Sequence, residues 1–264
     1  MDYETVLYKK SGRIVKITMN RPTVLNALNR LTIAELKAAC EQASKDDEVK
    51  VVILTGMGRA FSTGHDLKEA IAGPEDARKL HVEIWDLMFT IWDMGKPVIA
   101  QVNGHCLGIS CDLALACDLT IAADTATFGE PEIRFSSGSE FPLFPWVVGM
   151  KKAKELILTG DTIDAIEAER IGMVNKVVPL DRLEEEVAKL SRKLANVPAH
   201  ALRINKTNIN KAFEMMGMRN AMAQALESVS LLIVTDTEER KKFREIRGEK
   251  GLKTALEWLD SLFK

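Results

Sequence analysis

The chain has 264 residues, of which 46% are hydrophobic and 28% are charged, and this balance excludes a disordered or fibrous protein. Its 36 Lys and Arg residues against 38 Asp and Glu give a net charge of −2, so no overall positive field attracts nucleic acid or an anionic membrane. A chain of this length buries a large core and predicts one or two domains.

Cysteine usage and the amino-terminal segment indicate the compartment. The four cysteines have no histidine partners at zinc-ligand spacing, so we expect free thiols and no metal site. The first residues contain no apolar run typical of a signal peptide, and no stretch approaches the ~18 apolar residues of a membrane span. We therefore expect a cytoplasmic protein that has neither a membrane nor a nucleic acid as its partner.

The first half of the chain alternates between strand and helix patterns. Residues 3–9 and 13–19 predict a β-hairpin, and residues 29–45 have helical spacing. Two strand–helix rounds follow, with strands predicted at 51–55, 98–102 and 119–123 and helices around 80–91 and 109–116. Such rounds favour an α/β fold with right-handed crossovers and a largely parallel sheet.

The pattern changes at about residue 142, after which helices predominate. Only the apolar run 174–178 interrupts them as a candidate strand. The change in composition predicts a core domain of residues 1–195 and a helical region of residues 196–264. Helices are predicted at 147–158, 165–171, 183–194, 199–213 and 215–233.

Two glycine-rich loops follow predicted strands, at the position where parallel sheets bind ligands. They are residues 56–68 and residues 103–112. Glycine lets backbone N–H groups approach a ligand closely, and a helix N-terminus adds its dipole, so one N–H from each loop would form an oxyanion hole. The same spacing also fits tight turns alone, and neither loop matches a Rossmann or Walker motif.

Carboxylates are the second candidate chemistry. Asp112 lies in an apolar helix start, and Glu132 and Glu140 follow in the next loop region. Carboxyl groups in apolar surroundings can pass protons near neutral pH. The alternatives are a helix N-terminal charge for Asp112 and an ion pair with Arg134 for Glu132. We interpret Glu130 as a solvated loop charge.

The histidines give a weaker signal. His65 lies in the first glycine-rich loop, where its backbone N–H is a better candidate than its ring for contact with a ligand. The other three, His81, His105 and His200, are interpreted as structural residues. No Ser–His–acid or Cys–His arrangement follows from the sequence.

Several motifs together resemble the enoyl-CoA hydratase/isomerase (crotonase) superfamily. The resemblance is collinear from about residue 5 to residue 180. The motifs are Asn20-Arg-Pro-Thr-Val-Leu-Asn-Ala-Leu, Gly58-Arg-Ala-Phe-Ser-Thr-Gly-His-Asp-Leu-Lys, Lys96-Pro-Val-Ile-Ala-Gln-Val-Asn-Gly, Leu113-Ala-Leu-Ala-Cys-Asp and Phe128-Gly-Glu-Pro-Glu-Ile.

The resemblance implies an α/β fold built as a crotonase-like spiral of ββα units with a C-terminal helical oligomerisation region. It also implies a homotrimer or a dimer of trimers. The substrate is expected to be an acyl-CoA thioester of fatty acid metabolism, as in beta-oxidation. No cofactor or metal is expected, because coenzyme A is part of the substrate.

The resemblance also assigns site residues position by position. The oxyanion hole would consist of the backbone N–H groups of His65 and Ile109, although the second position is usually glycine. The basic segment that starts at Arg240 would help to bind CoA from a neighbouring subunit or, as we favour, form a solvated helical face. The expected CoA and substrate contacts are Leu25, Ala27, Ala60, Ser62, Gly64, Asp66, Leu67 and Gly108.

The number and spacing of the acidic residues distinguish the hydratases of the family from its isomerases. Hydratases resembling this chain use two glutamates twenty residues apart, and here Asp112 and Glu132 have that spacing. We predict hydration of a 2-enoyl-CoA, with Glu132 as the principal acid and base and Asp112 helping to hold the water. With Glu140 the three acids also resemble a dienoyl-CoA isomerase. A catalytically silent CoA-binding scaffold is the second alternative, because Ile109 and Asp112 depart from the family pattern.

Four aromatic residues lie near the third acid in the sequence. They predict either an apolar wall of the acyl pocket or part of the core. They are Phe135, Phe141, Phe144 and Trp146.

Overall fold

The computed structural model describes residues 2–139 and 141–263. The predicted hairpin is confirmed: the first two strands pair antiparallel, with Ser11 opposite Ile14, so the turn has two residues. Gly12 occupies the left-handed region in that turn, at φ +57°. The strands of the described residues are β1 Val6–Ser11, β2 Ile14–Met19, β3 Val51–Gly56, β4 Ala60–Ser62, β5 Val98–Val102, β6 His105–Leu107, β7 Leu119–Ala123, β8 Thr127–Gly129, β9 Thr162–Asp164 and β10 Lys176–Val178.

The strands form two sheets. The larger has the order β1-β2-β3-β5-β7-β10, and every pair after the hairpin is parallel. The smaller has the order β4-β6-β8-β9, with the first two pairs parallel and the last antiparallel. Strands β3 and β5 are buried along their whole length, which accounts for their continuous apolar sequences.

The chain winds as a spiral between these sheets. Three inner strands of the larger sheet lead directly to a short strand of the smaller sheet and then to a helix or helical turn, in the rounds β3-β4, β5-β6 and β7-β8. This is the expected α/β architecture of ββα units. Strands β4, β6 and β8 run parallel in the smaller sheet, so their carboxyl ends lie at the same edge of that sheet.

Helices are present at the predicted positions, but the one predicted at 147–158 is interrupted at residues 148–149. Helix α1 begins where Asn29 Oδ1 accepts a hydrogen bond from the Thr32 N–H at 2.9 Å. Helix α10 contains a kink at Gly251, where φ is +83°. The helices are α1 Arg30–Lys45, α2 Pro74–Trp92, α3 Ile109–Ala116, α4 Phe144–Val147, α5 Met150–Thr159, α6 Ala165–Arg170, α7 Leu183–Ala195, α8 Ala199–Met215, α9 Met218–Leu232 and α10 Glu238–Ser261. In the described ranges, no helix combines the length and apolarity needed to cross a membrane.

Among the residues that the structure describes, the hydrophobic core forms three clusters. The main cluster lies between the larger sheet and helices α1, α2 and α3, and a second cluster packs the other face of that sheet against α7. A third, small cluster lies within α10 and includes Phe243 and Leu259, with the half-buried Phe135 packed against it. The C-terminal helix therefore packs on the segment that carries the predicted acid Glu132.

A buried ion pair connects α8 to the core. Lys206 Nζ donates to Asp118 Oδ2 at 2.8 Å and to the carbonyl of Ile91 at 3.0 Å. Burial raises the pKa of Asp118 above its ordinary value. The four cysteines are buried free thiols, as expected, and burial raises the pKa of Cys40 to about 12.

Candidate active site

The two glycine-rich loops meet at Gly64 and Gly108. A Cβ atom placed on Gly64 would lie 3.6 Å from the Cα of Gly108 and 2.9 Å from the carbonyl oxygen of Leu107. Ser110 joins the loops, since its Oγ lies 2.7 Å from the carbonyl oxygen of Ser62 and 2.6 Å from that of Leu107. Glycine is required here because the backbones approach each other this closely.

His65 is held in the first loop by a parallel bridge to Leu28. The Leu28 N–H donates to the Gly64 carbonyl at 2.8 Å, and the Asp66 N–H donates to the Leu28 carbonyl at 3.0 Å. On the side of the first loop, these bonds are made by the backbone carbonyl of Gly64 and the backbone N–H of Asp66, the two neighbours of His65. Because backbone groups alternate in direction along an extended chain, the N–H of His65 itself is turned away from Leu28. His65 lines the cavity described below.

Ile109 is the first residue of α3 and contributes the second predicted N–H. It follows Gly108, whose φ of +60° and ψ of −142° belong to a region that glycine alone adopts readily. The Ile109 N–H donates to Glu132 Oε1 at 3.0 Å, while its side chain is buried. The helix N-terminus therefore stabilises a negative charge at this point.

Glu132 lies in a short helical turn, Pro131–Phe135, that follows β8. The turn closes through the Ser137 N–H, which donates to the Glu132 carbonyl at 3.0 Å. Ser136 ends it in the left-handed conformation, at φ +54°. Arg134, the alternative partner considered for Glu132, forms ion pairs with Asp161 at 2.6 Å and with Asp260 at 3.8 Å.

Asp112 lies one turn along α3 from Ile109 and is fully buried. Ser139 Oγ donates to Asp112 Oδ2 at 2.5 Å, and the Phe141 N–H donates to the same Oγ at 3.2 Å. Unlike Glu132, Asp112 does not line the cavity. Ser139 cannot be singled out from the sequence, because the stretch Ser136-Ser-Gly-Ser contains three equivalent hydroxyls.

Two further acids, Glu140 and Glu130, were considered from the sequence. Glu140 lies outside the described residues. Glu130 is 2% exposed, so its interpretation as a solvated loop charge is wrong. It directly follows β8, and it lies near enough to the Cys111 thiol for its charge to help raise the pKa of that thiol, after burial and Cys106.

A cavity of about 280 Å³ opens beside Glu132. The core contributes His65, Asp66, Leu67 and Glu132 to its lining, and α10 covers the opposite side. Arg240 is half-buried and lines the cavity, and Lys241 and Lys242 are exposed. The favoured interpretation of this segment as a solvated face is therefore wrong for Arg240, because α10 packs back on its own chain.

The predicted CoA contacts fall into two groups. Asp66 and Leu67 reach the cavity, and Asp66 also pairs with Arg21 at 2.9 Å. Ala60 and Ser62 are fully buried in the short strand β4, and Ala27 is nearly buried. The preceding Leu25 adopts a left-handed conformation, at φ 53°.

The aromatic residues divide between wall and core. Phe141 and Phe144 are fully buried core residues. Trp146 is half-buried against the same core. Phe135 lines the cavity and packs edge to face on Phe243, with ring centroids 5.2 Å apart.

Two histidines lie side by side near the first loop. The rings of His65 and His81 have centroids 6.3 Å apart. Ser230 Oγ donates to the Leu226 carbonyl at 2.7 Å, so at the 2.8 Å contact with His81 Nδ1 the imidazole nitrogen is the donor. Within residues 2–139 and 141–263, no group of three His, Cys, Asp or Glu side chains could hold a metal ion.

Comparison with known proteins identifies the family. A sequence model described as enoyl-CoA hydratase/isomerase matches residues 9–260. A probable enoyl-CoA hydratase of Mycobacterium bovis is 39% identical over 219 residues, which cover 81% of this chain and 84% of the relative. The crotonyl-CoA hydratase of Syntrophomonas wolfei is 35% identical over 245 residues, which cover 90% of this chain and 94% of the relative.

The fold agrees with this assignment. A crystal structure of an enoyl-CoA hydratase/isomerase from Xanthobacter autotrophicus Py2 is 39% identical, and it superposes with a TM-score of 0.97 over the whole of both chains. With a family match over nearly the entire sequence and the same fold in a solved relative, the chain belongs to the enoyl-CoA hydratase/isomerase family.

Proposed function

We propose that this protein is an enoyl-CoA hydratase, which adds water across the Cα=Cβ bond of a 2-enoyl-CoA thioester. One observation carries the proposal: the Glu132 carboxylate lies at the N-terminus of α3, 3.0 Å from the Ile109 N–H, and lines the cavity. An acid and an oxyanion donor are thereby adjacent. This is the arrangement needed when a proton moves at the carbons next to a thioester carbonyl.

The thioester oxygen is bound by the N–H groups of His65 and Ile109. Glu132 Oε1 accepts the Ile109 N–H in this structure, so the thioester oxygen takes over that donor and the carboxylate turns toward the reacting carbons. Negative charge grows on the thioester oxygen as the enolate forms. One preorganised N–H donor at such an oxygen is worth about 10²–10³ in rate.

Glu132 moves the protons of the addition. As water attacks Cβ, the carboxylate removes one proton from it, and the electron pair of the double bond moves into the enolate. The protonated Glu132 then returns a proton to Cα, so the product gains H at Cα and OH at Cβ. Asp112 is buried behind the cavity wall in this structure, so its proposed part in holding the water requires the bound substrate to open the site toward α3. Ser139, 2.5 Å away, fixes the orientation of this carboxylate.

Coenzyme A is bound along the first loop. Leu25, Ala27, Asp66 and Leu67 are its proposed contacts, and Arg247, which lines the cavity, is a candidate partner for its phosphates. A chain of net charge −2 thus binds a polyanion through local N–H groups and a few cations.

A panel of thioesters tests the proposal. We expect the purified protein to consume crotonyl-CoA and longer or cyclic 2-enoyl-CoAs, measured as loss of the absorbance of the conjugated thioester. Isomerisation of a 3,5-dienoyl-CoA without hydration of any 2-enoyl-CoA would instead support the isomerase that uses Asp112, Glu132 and Glu140. Binding of thioesters in a calorimeter without turnover would support a silent scaffold.

We also propose that the protein works as a homotrimer or a dimer of trimers in the cytoplasm. Large apolar side chains are exposed on α8 and α9, among them Ile209 at 60% and Leu231 at 65%, and association would cover them. Sedimentation equilibrium is expected to give three or six times the mass of one chain, and cell fractionation tests the location. A monomer at micromolar concentration would contradict this assembly.

A further inference from the structure

Arg240 connects the C-terminal helix to the turn that carries Glu132. Its Nη2 donates to the carbonyl of Ser136 at 2.9 Å, and its Nη2 and Nε donate to the carbonyl of Phe135 at 3.1 and 3.3 Å. These two carbonyls belong to the last residue of the turn Pro131–Phe135 and to the residue that ends it.

The other side of the same guanidinium group binds the end of α9. Nη1 donates to the carbonyl of Ile233 and lies 3.2 Å from that of Leu232 and 3.3 Å from that of Thr235. The last carbonyls of a helix have no partner inside the helix, and a cation there is favourable. One side chain therefore joins two segments of the chain that lie about a hundred residues apart in sequence.

A second connection reinforces the first. Thr237 caps α10 by accepting a hydrogen bond from the Arg240 N–H at 3.2 Å, and its Oγ1 lies 3.0 Å from Ser136 Oγ. Ser136 has the left-handed conformation that a residue with a side chain adopts at a cost, and such a conformation persists where its surroundings hold it. Both its carbonyl and its hydroxyl are held from α10.

The constraint reaches the catalytic acid through the backbone. Ser137, next to Ser136, donates its N–H to the Glu132 carbonyl at 3.0 Å, and the Glu132 side chain in turn reaches the Ile109 N–H. The guanidinium group of Arg240 donates hydrogen bonds to backbone carbonyls on both sides. Lys241 and Lys242, by contrast, are exposed and form ion pairs with Glu238 and Glu245 of the same helix.

We propose that Arg240 is a positioning residue for Glu132: docking of α10 through its guanidinium group sets the turn Pro131–Phe135 in the conformation that catalysis requires. The inference rests on the proposed function of Glu132 as the acid and base. Lysine cannot replace arginine in this role, because a single ammonium group does not provide the planar fork that reaches both segments.

The variants Arg240→Lys and Arg240→Met test this, with Lys242→Met as the control that removes one cation from the same helix. Since a misplacement of about 1 Å can cost about 10²-fold, we expect kcat for crotonyl-CoA to fall roughly 10- to 100-fold in both Arg240 variants. We expect KM, and the Kd for the saturated thioester acetyl-CoA, to stay within about twofold. Lys242→Met should match the wild type.

Three results would overturn the proposal. Full kcat in Arg240→Lys would mean that charge alone is sufficient. A higher KM and a higher Kd for acetyl-CoA with unchanged kcat would make Arg240 a ligand-binding residue. An equal loss of kcat in Lys242→Met would show that the effect is not specific to this position.

Amide hydrogen exchange separates this proposal from the proposed function. In a folded Arg240→Lys protein, checked by its melting temperature, we expect faster exchange in residues 131–137, above all at the Ser137 N–H. Unchanged exchange there would contradict the role of Arg240 whether or not the wild type is active. A wild type that hydrates no enoyl-CoA would contradict the proposed function alone.

Discussion

Replacing Gly108 by alanine places a methyl group against the catalytic acid. A Cβ atom on Gly108 would lie 1.5 Å from Glu132 Oε1 and 2.5 Å from its Cδ. The ordinary contact distance is about 3.5 Å, so the Glu132 carboxylate must retreat by about 2 Å. The hydrogen bond that it accepts from the Ile109 N–H at 3.0 Å would be lost as well.

The expected loss of activity follows from this displacement. A misplacement of about 1 Å can cost about 10²-fold in rate, so we expect Gly108→Ala to lower kcat at least about 10²-fold. This corresponds to about 2.7 kcal/mol of transition-state stabilisation. The backbone contributes a separate effect, because alanine at φ +60° and ψ −142° is strained by about 1–3 kcal/mol, which lowers the free energy of unfolding.

Gly149→Ala is the matched control. Gly149 also precedes a helix with positive φ, at +78° and ψ 158°, but a Cβ there would meet no atom within 4 Å. Backbone strain should lower the melting temperature of both variants, and only Gly108→Ala should lose hydration of crotonyl-CoA. If Gly108→Ala keeps a kcat within about threefold of the control, the claim that the catalytic carboxylate works in contact with the Gly108 backbone is refuted.

Two further variants test other parts of the structure. Ser139→Ala removes the hydroxyl that donates to the buried Asp112. We therefore expect a free energy of unfolding in urea that is lower by about 1–3 kcal/mol, together with slower turnover. If both values are unchanged, the contact between Ser139 and Asp112 is contradicted. Hydrogen bonding from Arg219 lowers the pKa of Glu214 to about 2, below its unfolded value, so this acid contributes stability above about pH 4.5 that is lost as the pH falls toward 2. Glu214→Gln should therefore lower the free energy of unfolding by about 1 kcal/mol at pH 7, after allowance for solvent screening. Between pH 7 and pH 3 the variant should lose less stability than the wild type. Equal losses of stability in the two proteins would contradict the role of the Glu214 carboxylate.

The sequence predicts the long elements of this fold because their patterns are strong. Strands β3 and β5 are continuous apolar runs, and α3 was predicted with the same ends that it has. The strands of the smaller sheet were not predicted separately from the loops. Each has three residues, and three residues are too few to show a periodicity.

The site was predictable where the chemistry lies in local motifs. The two glycine-rich loops and the pair Asp112 and Glu132 can be read from the sequence, and the structure brings Ile109 and Glu132 together. Contacts between distant segments were not predictable. Ser139 meets Asp112 across 27 residues, and Arg240 meets Phe135 across 105, so only the folded chain reveals either role.

Isotope labelling tests the central claim, that Glu132 adds water to an enoyl thioester, most directly. In water labelled with oxygen-18, we expect the wild type to convert crotonyl-CoA into a 3-hydroxyacyl-CoA that carries one heavy oxygen, detected by mass spectrometry. General acid–base catalysis contributes about 10²–10⁴-fold, so Glu132→Gln should slow the labelling by about that factor. A wild type that incorporates no label, or a Glu132→Gln protein that labels at the wild-type rate, would contradict the account.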